Sequence, residues 1–428
     1  MSPRQRNHFE SALEFVDPEI AALVASESLR QSQRLELIAS ENYVSAAQLE
    51  VSGSILGNTT VEGYPGARFH GPSPNADAIE QLAIARACAL FNARFANVQP
   101  HSGTQANQAI FLALLRPGDT VLAMKLSAGG HFSHGEASNL SGQWFNAVHY
   151  GVRMPEGLID YDDVERQAFQ FKPKLIIAGA TAYPRAIDFE RFAAIARSVN
   201  AHLMVDIAHV AGLVAAGLFP HPFPHADIIT STTYKNFRGV RGGFILSNDL
   251  ALAMRIDAAV CPGLQGTPLV QLMAAKAVSF HEALQPGYLR YSAQVLANAR
   301  ALGAALTKQG IVLVTGGTDT PFVVADLRPL AIDGAAATRR LDTLGIGANK
   351  ILLPSDPEDF SQSTGLRLGV SAITTRGMGE AECGEVADIV AAALRTAGDP
   401  DAQANTVLTR RVAQLCARFP LYGGHLPP

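Results

Sequence analysis

Two stretches decide the fold: residues 202–209 read HLMVDIAH and residues 227–235 read DIITSTTYK. Each begins as a short apolar, β-branched run, the pattern of a strand buried on both faces. Each ends in residues with chemistry, Asp206 and His209 in the first and Tyr234 and Lys235 in the second. Working outward, Thr120 to Met124, Lys174 to Ala178 and Gly243 to Leu246 repeat the pattern, with helical periodicity between them. Strands alternating with helices predict an α/β fold built on a mostly parallel sheet.

Upstream, Phe15 to Arg34 reads as a helix that Asp17 caps and Pro18 opens. Ala39 to Pro74 is so dense in Gly and Pro that it reads as one long, ordered binding loop. Downstream, two helices (Leu269 to Leu284, Tyr288 to Gln309) precede strands at Val312 to Val314, Pro321 to Asp326 and Gly365 to Gly369, a helix at Gly334 to Leu344 and a terminal helix pair. The expected organisation is an N-terminal arm (residues 1–70), a large domain (71–285) and a smaller α+β domain (286–428).

Composition narrows the function. Of 428 residues, 48% are hydrophobic and 17% charged, enough to fill a large core. Lys and Arg (34) nearly balance Asp and Glu (38), which argues against a nucleic-acid partner. No apolar run has the roughly 18 residues of a membrane helix; the longest, Leu203 to Phe219, is interrupted by Asp206 and His209. Met1 to Glu10 lacks the apolar stretch of a signal peptide, and the four cysteines have no metal-ligand spacing. The expectation is a cytoplasmic metabolic enzyme with no metal and no membrane partner.

In an open α/β sheet, residues at the carboxyl ends of strands face a common crevice. Asp206 and Lys235, 29 residues apart at two such ends, suit pyridoxal phosphate: the amine forms a Schiff base and the carboxylate keeps the pyridine nitrogen protonated. An ordinary ion pair would use the same two residues. Ser102-Gly103-Thr104 precedes a helical run, Gln105 to Leu115, and would place hydroxyls and N–H groups where a phosphate is favoured. His131, after Gly129-Gly130, is placed to lie on an aromatic ring, although a lone histidine is more often structural. Arg367 is a candidate for a substrate carboxylate; most strand arginines are surface charges.

The strings LELIASEN (35–42), EGYPG (62–66), NVQPHSGTQAN (97–107), GGHFSHG (129–135), VDIAHVAGLVAAG (205–217) and RGVRGG (238–243) resemble serine hydroxymethyltransferases, in the same order over nearly the whole chain. The resemblance implies a fold-type I, aspartate aminotransferase-like enzyme with pyridoxal 5'-phosphate covalent to Lys235. It further implies a homodimer, or a tetramer of such dimers, whose active sites use both subunits. Asp206 then pairs with the pyridine nitrogen, His131 with the ring face, and His209 lies near the phenolic oxygen. Ser102, Gly103 and Thr104 hold the phosphate; Thr181, Tyr234 and the loop residues Gly266 and Thr267 complete the cofactor site. Ser40 and Arg367 hold the substrate carboxylate, Arg241 stands beside the Lys235 loop, and Glu62 is the acid-base group.

Several positions depart from the family pattern. Thr60, Phe69 and His70 stand where tyrosines are usual, Tyr234 where histidine is usual, and Thr267 interrupts a Gly-Gly pair. Ile351 occupies the position of an asparagine that holds the folate pterin, which makes tetrahydrofolate doubtful. Thr60 in place of a large ring opens room beside the substrate α-carbon for a methyl group. The expected reaction is therefore reversible cleavage of α-methyl-L-serine to alanine and formaldehyde without tetrahydrofolate, with Glu62 or His70 taking the hydroxyl proton. The alternatives are a tetrahydrofolate-dependent hydroxymethyltransferase acting on serine or α-methylserine, and a threonine-type aldolase or transaldolase. A non-catalytic binding protein is the rival from another class, disfavoured by the presence of Lys235, Asp206 and Arg367 together.

Overall fold

The computed structural model describes residues 11–357, 359–396 and 402–424. The reading of Met1 to Glu10 lies outside these residues. Among them, no helix is long and apolar enough to cross a membrane, and no cluster of His, Cys, Asp or Glu is arranged to hold a metal.

The central sheet has seven strands in the order Phe95–Asn97, Gly243–Ser247, Ile228–Thr232, His202–Asp206, Leu175–Gly179, Thr120–Met124 and Asn146–Tyr150. Neighbours pair in parallel except around Gly243–Ser247, which runs antiparallel to both of its neighbours. Side chains alternate between two helix-covered faces. Ile176, Val205, Ile229 and Leu246 enter one core, and Leu175, Met204, Ile228 and Ile245 the other. Burial on both sides is what makes these strands uniformly apolar, so that a polar residue at a strand end stands out.

A second, antiparallel sheet follows in the order Val312–Leu313, Phe322–Asp326, Gly365–Gly369 and Asn349–Ile351. Helices Pro286–Lys308 and Glu380–Arg395 pack together around a separate apolar core that includes Val295, Leu302, Leu366, Leu368 and Val386. Strand Leu35–Glu36 pairs in parallel with Ile346–Gly347 and ties the N-terminal segment to this half.

Two expectations about the N-terminal segment are corrected. The helix expected from Phe15 starts at Pro18 and runs to Gln33, with the Asp17 carboxylate capping it as anticipated by accepting the Ile20 N–H, while Leu13–Val16 forms a separate turn. The stretch from Ala39 to Pro74 is not one loop. It holds helix Ala46–Ser52, a 3-10 turn at Ile55–Asn58, and a hairpin of Gly63–Tyr64 with Ala67–Arg68. Its glycines and prolines punctuate short elements, and the Ser45 hydroxyl caps the helix by accepting the Gln48 N–H. Strands Phe95–Asn97 and Asn146–Tyr150 lie at the sheet edges, where partial burial blurs the apolar signal.

Candidate active site

The carboxyl ends of strands His202–Asp206 and Ile228–Thr232 open into a narrow cleft. Nine of the anticipated residues line it: Ser102, Gly103, Thr104, His131, Thr181, Asp206, His209, Tyr234 and Lys235. Helix Gly103–Leu114 points its N-terminus here, with the Ser102 hydroxyl accepting the Gln105 N–H. A Cβ at Gly103 would sit 2.6 Å from the Thr232 methyl, so only glycine lets this turn press against the strand end.

Asp206 is held from three sides. One oxygen accepts from the Ala208 N–H (2.9 Å), the other from Asn107 Nδ2 and His134 Nε2, both at 3.0 Å. Burial alone would raise its pKa, but the His134 and Asn107 contacts outweigh it and hold the carboxyl well below the usual range. The same Asn107 amide donates to Ser133 Oγ (2.9 Å), and Ser133 bonds His131 Nδ1 (2.7 Å). One amide thereby positions both the acid and the imidazole. Burial, aided by nearby positive charge, lowers the His131 pKa to about 3, which keeps the ring neutral. Asn107 and His134 were absent from the sequence reading, although both fall within strings that carry the family resemblance.

Lys235 is buried beside this carboxylate. Burial pulls its pKa down to about 8, against the pull of Asp206. Its backbone carbonyl accepts from Asn42, which also bonds Tyr291, so the lysine loop is fastened to the N-terminal segment. Arg367 is 5% exposed. It donates to the Thr181 carbonyl (2.6 Å) and to Asn349 Oδ1 (2.8 Å), while its Nε has no partner. No carboxylate of the chain lies within ion-pair distance of it among the described residues. A buried guanidinium without a counterion is costly, and burial lowers its pKa to about 10. This arrangement suits an incoming anion.

The other anticipated residues lie elsewhere in a single chain. Ser40 lines a neighbouring groove together with Tyr234 and Arg241, whose guanidinium stacks on the Tyr234 ring at 4.5 Å. Thr60 and His70 are exposed. His70 Nε2 is 3.0 Å from Glu62 Oε2, and a Cβ at Gly266 would lie 2.7 Å from Glu62 Oε1, so the hairpin and the 266–267 loop form a second cluster. Thr60, Glu62, His70, Gly266 and Thr267 do not line the Lys235 cleft, and the hairpin between Glu62 and His70 is pinned by Arg68 through Asp77, Glu80 and the Val61 and Gly63 carbonyls. Ile351 is buried against Ala39, Phe322, Val324 and Leu353. Beside the histidine loop, Phe132 stacks on Phe360 with ring centroids 5.7 Å apart.

With this geometry in place, comparison with known proteins decides the family. The serine hydroxymethyltransferase family model matches residues 13–390. The chain belongs to the serine hydroxymethyltransferase family. It is 51% identical to a serine hydroxymethyltransferase of Acidiphilium cryptum and 49% identical to serine hydroxymethyltransferase 2 of Rhodospirillum rubrum, in each case over 97% of both chains. A second relative at 51%, from Rhodospirillum centenum, carries the same name over the same extent. Members of this family are fold-type I pyridoxal-phosphate enzymes, and the mostly parallel sheet agrees with that class. The cleft also fits the cofactor on its own chemistry. Asn107 Oδ1, His209 Nδ1 and Thr232 Oγ1 line it and are buried without hydrogen-bond partners, as expected where a polar ligand supplies them.

Proposed function

We propose that this enzyme reversibly removes the hydroxymethyl group from a serine-class amino acid, serine or α-methylserine, and passes it to tetrahydrofolate. The observation that carries the amino-acid part is the Arg367 guanidinium, buried without a counterion and bonded to the carbonyl of Thr181, which lines the cleft with Lys235 and Asp206. The names of relatives at about half identity support the transfer part.

When bound, pyridoxal phosphate supplies the electron sink for the pair left on Cα as the Cα–Cβ bond breaks. Ser102, Gly103 and Thr104 would hold its phosphate at the helix N-terminus, and Asp206 would hold a proton on its ring nitrogen. His131 is kept neutral and directed by Ser133, so it adds no charge at the ring face. Lys235, half deprotonated near pH 8, supplies a neutral amine for the covalent attachment. Arg367 would orient the substrate carboxylate, joined by Ser40 from the neighbouring groove, and so fix which bond at Cα faces the cofactor. Glu62 and His70, already hydrogen-bonded to each other, would accept the hydroxyl proton from the neighbouring subunit of a homodimer. Helix Pro18–Gln33 buries none of its residues within the chain and exposes Leu23 and Val24, which supports such an assembly.

A second reading, cleavage of α-methyl-L-serine to alanine and free formaldehyde without folate, is favoured by the buried, apolar Ile351 and by the small Thr60. Incubating the holoenzyme with L-serine or α-methyl-L-serine, with and without tetrahydrofolate, separates the two. Strict folate dependence supports hydroxymethyl transfer. Equal formaldehyde release without folate replaces it by the aldolase reading, and cleavage of neither amino acid sinks both.

A further inference from the structure

The proposed chemistry makes no use of one buried lysine among the described residues. Lys276, in helix Val270–Ala283, is 2% exposed and has no carboxylate in contact. Its ammonium donates instead to three backbone carbonyls: Val98 (2.7 Å), Pro100 (2.8 Å) and Gly243 (2.9 Å). Glu80, whose charge it feels, is already committed to Arg68 at 2.6 Å and Gln99 at 2.7 Å. Isolated ammonium groups are rarely taken out of water, because the cost is large unless the charge is used. The chain also makes room for this one: a Cβ at Gly242 would lie 2.2 Å from Lys276 Cε.

The three carbonyls belong to one piece of scaffold. Val98 and Pro100 lead directly into Ser102-Gly103-Thr104, the Pro100 carbonyl also accepts the Gly243 N–H (2.9 Å), and Gly243 packs so close to the Ser102 carbonyl that a Cβ would meet it at 2.3 Å. Lys276 thus gathers the backbone immediately behind the turn at the N-terminus of helix Gly103–Leu114. We propose that Lys276 is a positioning residue for the cofactor phosphate: it locks the Ser102–Thr104 turn from behind and places a buried positive charge under the anion. Burial lowers its pKa to about 7, and a dianion on the far side of the turn would favour the charged form. The inference rests on the assignment of Ser102–Thr104 as the phosphate turn.

The test compares pyridoxal phosphate with pyridoxal, which lacks the phosphate, as ligands of the apoenzyme, each titrated by the visible absorbance of the lysine-bound aldehyde. A lysine that only supports packing would affect both alike. Lys276→Met should weaken pyridoxal phosphate about tenfold while leaving pyridoxal within about twofold. Lys276→Gln, which keeps an amide donor for two of the carbonyls, carries the same measurement if the methionine variant does not fold, and should show the same selectivity. Equal weakening of both aldehydes, or no change in either, overturns the proposal. Thr104→Val is the reference. If it loses pyridoxal phosphate selectively while the Lys276 variants do not, only the Lys276 inference fails; if it too is unselective, the phosphate assignment beneath it fails as well.

Discussion

The Lys235 cleft and the Glu62 hairpin are built in opposite ways. The cleft sits at the ends of buried parallel strands, and its groups are bonded to one another through Asn107, His134 and Ser133. Of its lining side chains, Asn107 Oδ1, His134 Nδ1, His209 Nδ1 and Thr232 Oγ1 are buried without hydrogen-bond partners. The hairpin is pinned underneath by Arg68, yet it holds Thr60, Phe69 and His70 out on the surface. On the proposed reading, one chain by itself supplies the groups that would hold the cofactor. On the same reading, Glu62 and His70 serve a site completed by another chain.

Subunit mixing tests this contrast most directly. Lys235→Ala should lower activity by roughly 10³-fold or more, with loss of the visible absorbance of lysine-bound cofactor. Glu62→Ala should be nearly inactive with that absorbance intact. If the two regions serve one site across a dimer, mixing the two inactive variants should restore about a quarter of the wild-type activity, since half the dimers pair unlike chains and each then has one intact site. No recovery in mixtures shown to exchange subunits would place Glu62 outside the site.

Asp206→Asn probes the cleft side alone. The amide keeps the shape but removes the charge that Asn107 and His134 surround, and turnover should fall roughly 10² to 10³-fold. Retention of activity within a few-fold would show that this carboxylate only organises its neighbours. Arg367→Lys is milder. It keeps the charge but loses the planar fork, so KM for the amino acid should rise roughly 30-fold or more with a smaller change in kcat. An effect confined to kcat would detach Arg367 from the substrate carboxylate.

The same contrast governs what the sequence discloses. Asp206 and Lys235 are legible because each follows a run buried on both faces, where any polar residue must have a reason to be present. In the second sheet, Gly365–Gly369 and Phe322–Asp326 are legible for a similar reason, being nearly all buried, whereas the short, half-buried Asn349–Ile351 is not. Asn107, His134 and Lys276 are not legible in this way. They lie on helical segments in which polar residues are ordinary, and only packing shows that all three are at most 2% exposed. The Ala39–Pro74 segment misleads for the converse reason: glycine and proline mark where chains turn but not how short the elements between turns are.

The smallest effect tests the cleft's electrostatics. Lys235 must be neutral to attack an aldehyde, and burial brings its pKa from an ordinary 10.5 to about 8. Capture of pyridoxal phosphate by the apoenzyme should therefore slow about tenfold per pH unit below pH 8, as the amine becomes protonated, and level off above it. Asp206 opposes the shift and Arg241 reinforces it. Asp206→Asn should accordingly move the break to lower pH, and Arg241→Gln to higher pH, each by a fraction of a unit. Stopped-flow mixing of apoenzyme with cofactor between about pH 6 and pH 11.5 reads all three profiles. A break near 10.5 in the wild-type protein would mean that water reaches the lysine freely, and the distinction between a sealed cleft and an open hairpin would fall with it.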